Sequence, residues 1–322
     1  MDVRDIAAKW PQTPRLGLGF THAAVLYSGT AEYLSMAGDL ARQAAAAGAP
    51  LHVAVPGDRL DLVREALRFV PVEAVPVDMA DLGRNPARVI PAVLSLAAED
   101  PGEHLYCLWE PAWPGRSAAE LREVARHETL CNLAFGDQPM TIVCFYDSTA
   151  LGHEVVRHAE CSHPLVVADG QPRGSLAYHG AGLFPPGCDD PLTPPAADAE
   201  VIEVDGHLDA ARSFCARHAR AAGLDPARIT DFVIAISELA ANAHRHGGGA
   251  FMIRAWCADG ELLCQVEDRG YIADPLAASQ PQPSSDGTGG YGLWLINTIC
   301  DLVERRTRPV GTTTRLHMRR PL

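Results

Sequence analysis

Glu238, Asn242 and His246 recur every fourth residue, so on a helix they stack one above another along a single line. Polar groups aligned in that way can jointly hold a hydrated metal ion and the phosphates it carries. Downstream, Asp268-Arg-Gly270 can present a carboxylate to an amino group while the glycine lets the backbone pass close to a planar base. Gly287-Thr-Gly289-Gly290-Tyr-Gly292 then leads into an apolar helical pattern, where loop amides delivered to a helix start can cradle phosphate. Taken one at a time, these features also read as an exposed polar helix face, an ordinary Asp-x-Gly turn and a flexible loop.

The elements that must position these residues are legible on both sides of them. Asp225-Pro226 is an N-cap and N1 pair opening a helix to His246, whose apolar stripe runs through Ile229, Phe232, Val233, Ile236, Leu239, Ala240 and Ala243. A helix over 208–222 precedes it. Residues 250–255 and 261–267 alternate as half-buried strands around an Asp259-Gly260 turn, and residues 312–318 form a closing strand. Leu293, Ile296, Ile299, Cys300 and Val303 keep helical spacing after the glycine loop. The carboxy-terminal part is therefore expected to be α+β.

The amino-terminal part reads differently. Short apolar runs at 23–27, 51–55, 72–77, 104–109, 141–146 and 165–168 alternate with helical patterns, which predicts a doubly wound α/β domain with a mostly parallel sheet. One helix over 32–47 stops at Gly48, and Ser117-Ala-Ala-Glu120 is a capping box opening another that reaches about residue 135. The stretch FPPGCDDPLTPP, residues 184–195, holds five prolines and reads as a semi-stiff linker. The expected layout is a first domain over 1–183, a linker over 184–199 and a second domain over 200–322.

A formal charge of -13, from 27 cationic and 40 acidic residues, disfavours nucleic acid and anionic membrane surfaces as partners. Lys9 is the only lysine, so a Gly-Lys-Ser/Thr phosphate loop is excluded. The nine cysteines form no Cys-x-x-Cys pair, and no apolar run approaches the ~20 residues that span a bilayer, so a cytoplasmic, reduced protein is expected.

In order and spacing, Glu238-x-x-x-Asn242 with His246-Gly, Asp268-x-Gly270, Gly289-Gly-Tyr-Gly292-Leu and Gly311-Thr-Thr resemble the N, G1, G2 and G3 boxes of GHKL (Bergerat) ATPases. Ser237-Glu-Leu-Ala-Ala-Asn242-Ala is similar to the N box of RsbW-type anti-sigma-factor serine kinases. That resemblance implies ATP and Mg²⁺ as cofactors, with Asn242 as metal ligand, Asp268 on the adenine amino group and Glu238 as general base. His246 and Gly270 would line the nucleotide, Gly287, Gly289, Gly290 and Gly292 would form the lid, and Thr312 would reach adenine through water. It further implies a sigma factor or its antagonist as partner, phosphorylated on serine or threonine, and a homodimer. A non-catalytic ATP-dependent binding module and a histidine kinase are the alternatives; the second lacks its dimerising helical hairpin, and His127-Glu128 is the His-Glu pair weighed for it.

Over about residues 15–180 the chain resembles the MEDS sensory family, which is RecA-like without a phosphate loop. The resemblance rests on His22 with Tyr27, Glu110-Pro-Ala-Trp-Pro-Gly-Arg116, Arg126-His127-Glu-x-x-x-Asn132, Cys144-Phe-Tyr146-Asp147 and His163-Pro. Tyr27, Glu110, Tyr146 and Asp147 fall at expected strand carboxyl ends, where open α/β sheets bind ligands, and a small polar molecule is expected there. His22, Arg116 and His127 join them as candidate ligand residues through the motifs. His158-x-x-Cys161-x-His163, with Cys107, Cys131 and Cys144, also invites a metal reading, but buried cysteines commonly act as small hydrophobes and the spacing matches no familiar zinc framework.

Overall fold

The computed structural model describes residues 19–99, 101–206, 208–280 and 290–321. The chain divides into two compact units between Cys188 and Asp189, inside the proline-rich stretch.

In the first unit, strands β1 (Phe20–Tyr27), β2 (Leu51–Val55), β3 (Ala74–Asp78), β4 (Leu105–Trp109), β5 (Met140–Asp147), β6 (Leu165–Ala168) and β7 (Gln171–Gly174) form one sheet in the order β3-β2-β4-β5-β1-β6-β7. Every pairing is parallel except β6 with β7. The helices are α1 (Thr30–Ala47), α2 (Leu60–Leu67), α3 (Met79–Leu82), α4 (Val89–Glu99), α5 (Ala118–Ala134) and α6 (His153–Ser162). Apolar residues at alternate strand positions, among them Val25, Val53, Leu108, Val143 and Phe145, pack with Tyr33, Leu40 and Val63 of α1 and α2. On the opposite face, His22, Cys144 and Tyr146 meet α5 and the residues that end α6. The capping box closes as its sequence requires: Ser117 Oγ accepts from Glu120 N at 3.2 Å, and Glu120 Oε2 accepts from Ser117 N at 2.7 Å. Helix α1 stops at Gly48, left-handed at φ 70°.

The second unit has strands β8 (Glu200–Asp205), β9 (Ala250–Ala258), β10 (Glu261–Asp268), β11 (Leu302–Arg308) and β12 (Gly311–Arg319) in the antiparallel order β11-β12-β10-β9-β8. Helices α7 (Leu208–Ala221), α8 (Pro226–His246) and α9 (Gly292–Ile299) pack on one face of it. Asp225 caps α8 by accepting from Arg228 N at 2.9 Å, with proline at N1. Phe232, Ile236, Leu239 and Ala243 of α8 bury against Ile253, Val266 and Leu316. Phe232 alone, fully buried, contributes roughly 1.5–3 kcal/mol.

Three strands depart from the sequence reading, the first being β7, whose exposed polar Gln171–Gly174 offers no apolar run. Val303, expected to continue the last helix, belongs to β11: Cys300 is already extended at ψ 150°, and Leu302–Arg308 pairs with β12. Strand β8 was hidden because Glu200–Asp205 is an exposed acidic edge directly after the prolines.

The proline-rich stretch is held on both sides of the division. Arg126 stacks on Phe184 at 4.0 Å and donates to Cys188 O, within the first unit. Within the second, Arg308 pairs with Asp189 at 2.6 Å, Arg306 donates to Asp190 O at 3.0 Å, and Arg315 donates to Thr193 Oγ1 at 3.1 Å.

Candidate functional site

Half-buried Glu238 and Asn242 and exposed His246 lie along α8 beside the core stripe. Asp268 ends β10 opposite Thr312 of β12, on the side of the sheet that carries Leu316 and Met318 into the core. Its Oδ1 accepts from Gly270 N at 2.6 Å, and its Oδ2 makes no hydrogen bond among the described residues. Burial raises the Asp268 pKa, against the pull of the Gly270 amide and the nearby His246. Thr312 Oγ1 donates to Gly270 O at 2.8 Å and lies 3.0 Å from Thr307 Oγ1, so the β10 turn is clamped from the neighbouring hairpin.

Two close approaches define this cradle. A Cβ on Gly270 would stand 2.8 Å from Asp268 Oδ1 and 3.0 Å from His246 O. A Cβ on Gly292 would stand 2.5 Å from Glu238 Oε2. Glycine at these positions lets the start of α9 and the β10 turn come against the carboxylates. Glu238 makes no hydrogen bond or ion pair among the described residues, whereas Asn242 Oδ1 accepts from Arg245 Nη2 at 3.1 Å. A cation at Asn242 must therefore displace an exposed guanidinium. Gly290 is exposed at φ 95°, and Gly287 and Gly289 lie outside the described residues.

In the first unit the sensory candidates separate into three places. The carboxyl ends of the strands gather Tyr27, Glu110 and Asp147, with Tyr27 and Asp147 as register partners on β1 and β5. Tyr27 Oη donates to Glu110 Oε1 at 3.2 Å. Arg59, from the short turn after β2, completes the group at 3.8 Å from Glu110 and 3.9 Å from Asp147, with its guanidinium 5.7 Å from the Tyr33 ring centre. Sequence reasoning missed Arg59 and Tyr33. The available signal was a cation just past Pro56-Gly57 at a strand end.

Burial raises Glu110 to about 7 despite Arg59 and Tyr27, and burial together with Glu110 pushes Tyr27 and Tyr33 far above the ordinary phenol range. Burial would also raise Asp147, but hydrogen bonds from Thr149 and Ala150 and the charge of Arg59 hold it below its usual value. Glu110 Oε2 and Tyr33 Oη are buried without a hydrogen-bond partner. Where a phosphate loop would follow the first strand, Glu32 Oε2 instead accepts from Ser28 N at 2.8 Å.

The other candidates lie elsewhere. Arg116 donates to Gly83 O at 2.7 Å and stacks 3.7 Å from the Trp113 ring centre. His127 Nδ1 is 2.8 Å from Glu123 O within α5, and burial lowers its pKa. Tyr146 is buried edge-on to the His163 ring, and His22 faces Glu128 and Asn132 in the interior. Of the local His158-x-x-Cys161-x-His163 set, His158 turns to Cys188 at 3.7 Å.

Among the described residues, no helix is long and apolar enough to cross a membrane. No curated protein matches the chain. One solved structure, that of the RsbU and RsbW domains of Rv1364c from Mycobacterium tuberculosis, is similar at 26% identity, covering 38% of this chain and 33% of its own, with a TM-score of 0.28. The chain thus spans about a third of that structure's length. The MEDS family (methanogen/methylotroph, DcmR sensory domain) matches residues 21–164, and the histidine kinase-like ATPase domain matches residues 203–318. The chain joins a MEDS sensory domain to a histidine kinase-like ATPase domain.

Proposed function

We propose that the protein is a signal-responsive, anti-sigma-like switch whose second unit binds Mg-ATP and transfers phosphate to a serine or threonine of a protein antagonist. The observation that carries the kinase reading is Glu238: a carboxylate without a partner among the described residues, one turn before Asn242 and against the start of α9. A carboxylate so placed can accept the proton of an incoming hydroxyl. Asp268 Oδ2, half-buried and open, would accept from the adenine amino group; Asn242 Oδ1, once released by Arg245, would ligate Mg²⁺. Bound Mg-ATP would supply the transferable phosphoryl group and the charge that neutralises it. Gly292 and the lid glycines would bring amides to the phosphates, and His246 and Thr312 would border the base.

The family resemblance supports a sigma factor or its antagonist as the protein partner and a homodimer formed by the second unit. The crevice of Tyr27, Arg59, Glu110 and Asp147 would hold a small polar ligand whose occupancy biases partner affinity. The half-buried place of His127 inside α5 speaks against its serving as a phosphoacceptor.

Calorimetry tests the nucleotide site. Asp268→Asn and Asn242→Ala should each weaken ATP about 10- to 100-fold, the range for a lost hydrogen bond to a charged group; unchanged affinity in both would refute the assignment. The phosphorylated antagonist should be acid-stable and should vanish with Glu238→Gln while ATP still binds. ATP binding by the wild type with no transfer to any co-purified partner would leave the non-catalytic switch.

A further inference from the structure

Four side chains from distant parts of the first unit converge in its interior: His22 of β1, Glu128 of α5, Cys144 of β5 and His163, just after α6. All are buried, and one ligand atom from each lies within 4.8 Å of every other. Glu128 Oε2 is 3.2 Å from His22 Nε2, 3.0 Å from His163 Nε2 and 3.1 Å from Cys144 Sγ, and Cys144 Sγ is 3.6 Å from His22 Nε2. A tetrahedron built on zinc-type bonds to nitrogen, oxygen and sulfur has edges of roughly 3.3–3.7 Å. The cluster is already close to that size.

The surroundings fix which atoms point inward. Asn132 Nδ2 faces three carbonyl oxygens, those of Glu128, Thr129 and Ser162, so its Oδ1 must be the atom 3.0 Å from His22 Nδ1. His22 Nδ1–H therefore donates outward. His163 Nδ1–H donates to Ala159 O at 2.8 Å. With both Nδ1–H groups so engaged, each ring turns its Nε2 to the Glu128 carboxylate, His22 at 3.2 Å and His163 at 3.0 Å, and His163 Nε2 makes no hydrogen bond there. Either protons or a metal cation must stand between these nitrogens and the buried carboxylate, and one ion can serve all four groups at once. Ring nitrogens anchored through their other N–H are the usual support of metal-binding histidines.

We propose that His22, Glu128, Cys144 and His163 form a closed four-ligand site for a divalent first-row transition ion of the zinc type. On binding, the ion sheds its water ligands to solvent, the Cys144 thiol proton leaves with them, and lone pairs of the sulfur, the two Nε2 atoms and the Glu128 carboxylate replace the lost metal–water bonds. One dication, one thiolate and one carboxylate sum to zero, which suits a fully buried site. With four protein ligands no position stays open for water, so the ion ties β1, β5, α5 and the α6–β6 turn together and does no hydrolytic chemistry.

Cobalt(II) titration of the full-length, EDTA-dialysed protein under a non-chelating reductant tests the site. One equivalent per chain should saturate a thiolate-to-cobalt charge-transfer band. Asn132→Leu should keep the band but weaken binding about 10- to 100-fold, as for other groups that orient metal-bound histidines. Cys144→Ser should lose the band. No band in the wild type at excess cobalt would overturn the proposal and leave protons shared among the imidazoles and Glu128. The same band undiminished in Cys144→Ser would overturn it too, by placing the ion on another cysteine. The wild-type titration decides even if a variant does not fold.

Discussion

His317 is held protonated between two carboxylates, and its replacement should change how the stability of the second unit depends on pH. Its Nδ1 is 2.8 Å from Glu261 Oε2 and its Nε2 3.1 Å from Glu304 Oε2. Burial opposes the charge, but the two carboxylates outweigh it and raise the pKa to about 9 from 6.5. At ~1.36 kcal/mol per pH unit, this difference stabilises the folded unit by about 3 kcal/mol. Because the folded value is the higher one, the contribution is complete below pH 6.5 and is lost as the pH climbs through 9. The same contacts hold Glu304 low, so the energy is counted once. Hydrogen exchange of peptides from β10, β11 and β12, measured in the full-length protein from pH 6 to 10 and corrected for intrinsic rates, isolates this unit. His317→Gln should be less stable than the wild type at pH 6, with the gap closing by pH 10. A gap that stays constant across that range would show that His317 is not charged in the folded state.

Glu110 predicts the opposite sign. Its folded pKa of about 7 lies above the ordinary carboxyl value of 4.5, so ionising it costs stability as the pH rises from 4.5 through 7. Glu110→Gln should match the wild type near pH 4, below the ordinary carboxyl value, and exceed it by about 1–3 kcal/mol in urea unfolding of the first unit at pH 8; equal stability at both pH values would contradict the burial argument. Ser117→Ala removes one half of the capping box and should cost about 1 kcal/mol. Urea melts that superimpose on those of the wild type would mean that water replaces the cap without loss.

The parallel sheet was legible because its strands are short, apolar and bounded by capped helices, and the crevice followed, since parallel strands deliver their carboxyl ends to one rim. Arg59 was not, because it sits in a three-residue turn with no periodicity to mark it. The cradle proposed for the nucleotide shows in the sequence as motifs at set spacing, whereas Arg245 on Asn242 follows from side-chain packing that spacing does not encode. Local spacing drew His158 and Cys161 together with His163, and of these only His163 belongs to the buried cluster. The converging set joins His22 to Cys144 across the β1–β5 pairing, where Ala24 is the register partner of Cys144 and His22 shares its face two residues away. Such a set becomes visible only when strand adjacency is known. Val303 misled for a related reason: it stands four residues after Ile299, a helical interval, yet its environment is a strand.

Residues 189–193 bear on how the ATPase unit is to be isolated. Arg306, Arg308 and Arg315 have lodged their guanidinium groups on Asp189, Asp190 and Thr193, over the same strands that carry His317 and Glu304. A fragment begun at residue 200, where the first strand starts, removes those partners from Arg306, Arg308 and Arg315. Such a fragment would invite adventitious binding of polyanions and self-association, and a dimer measured on it would report the trimming. Recombinant boundaries at Asp189 keep these contacts.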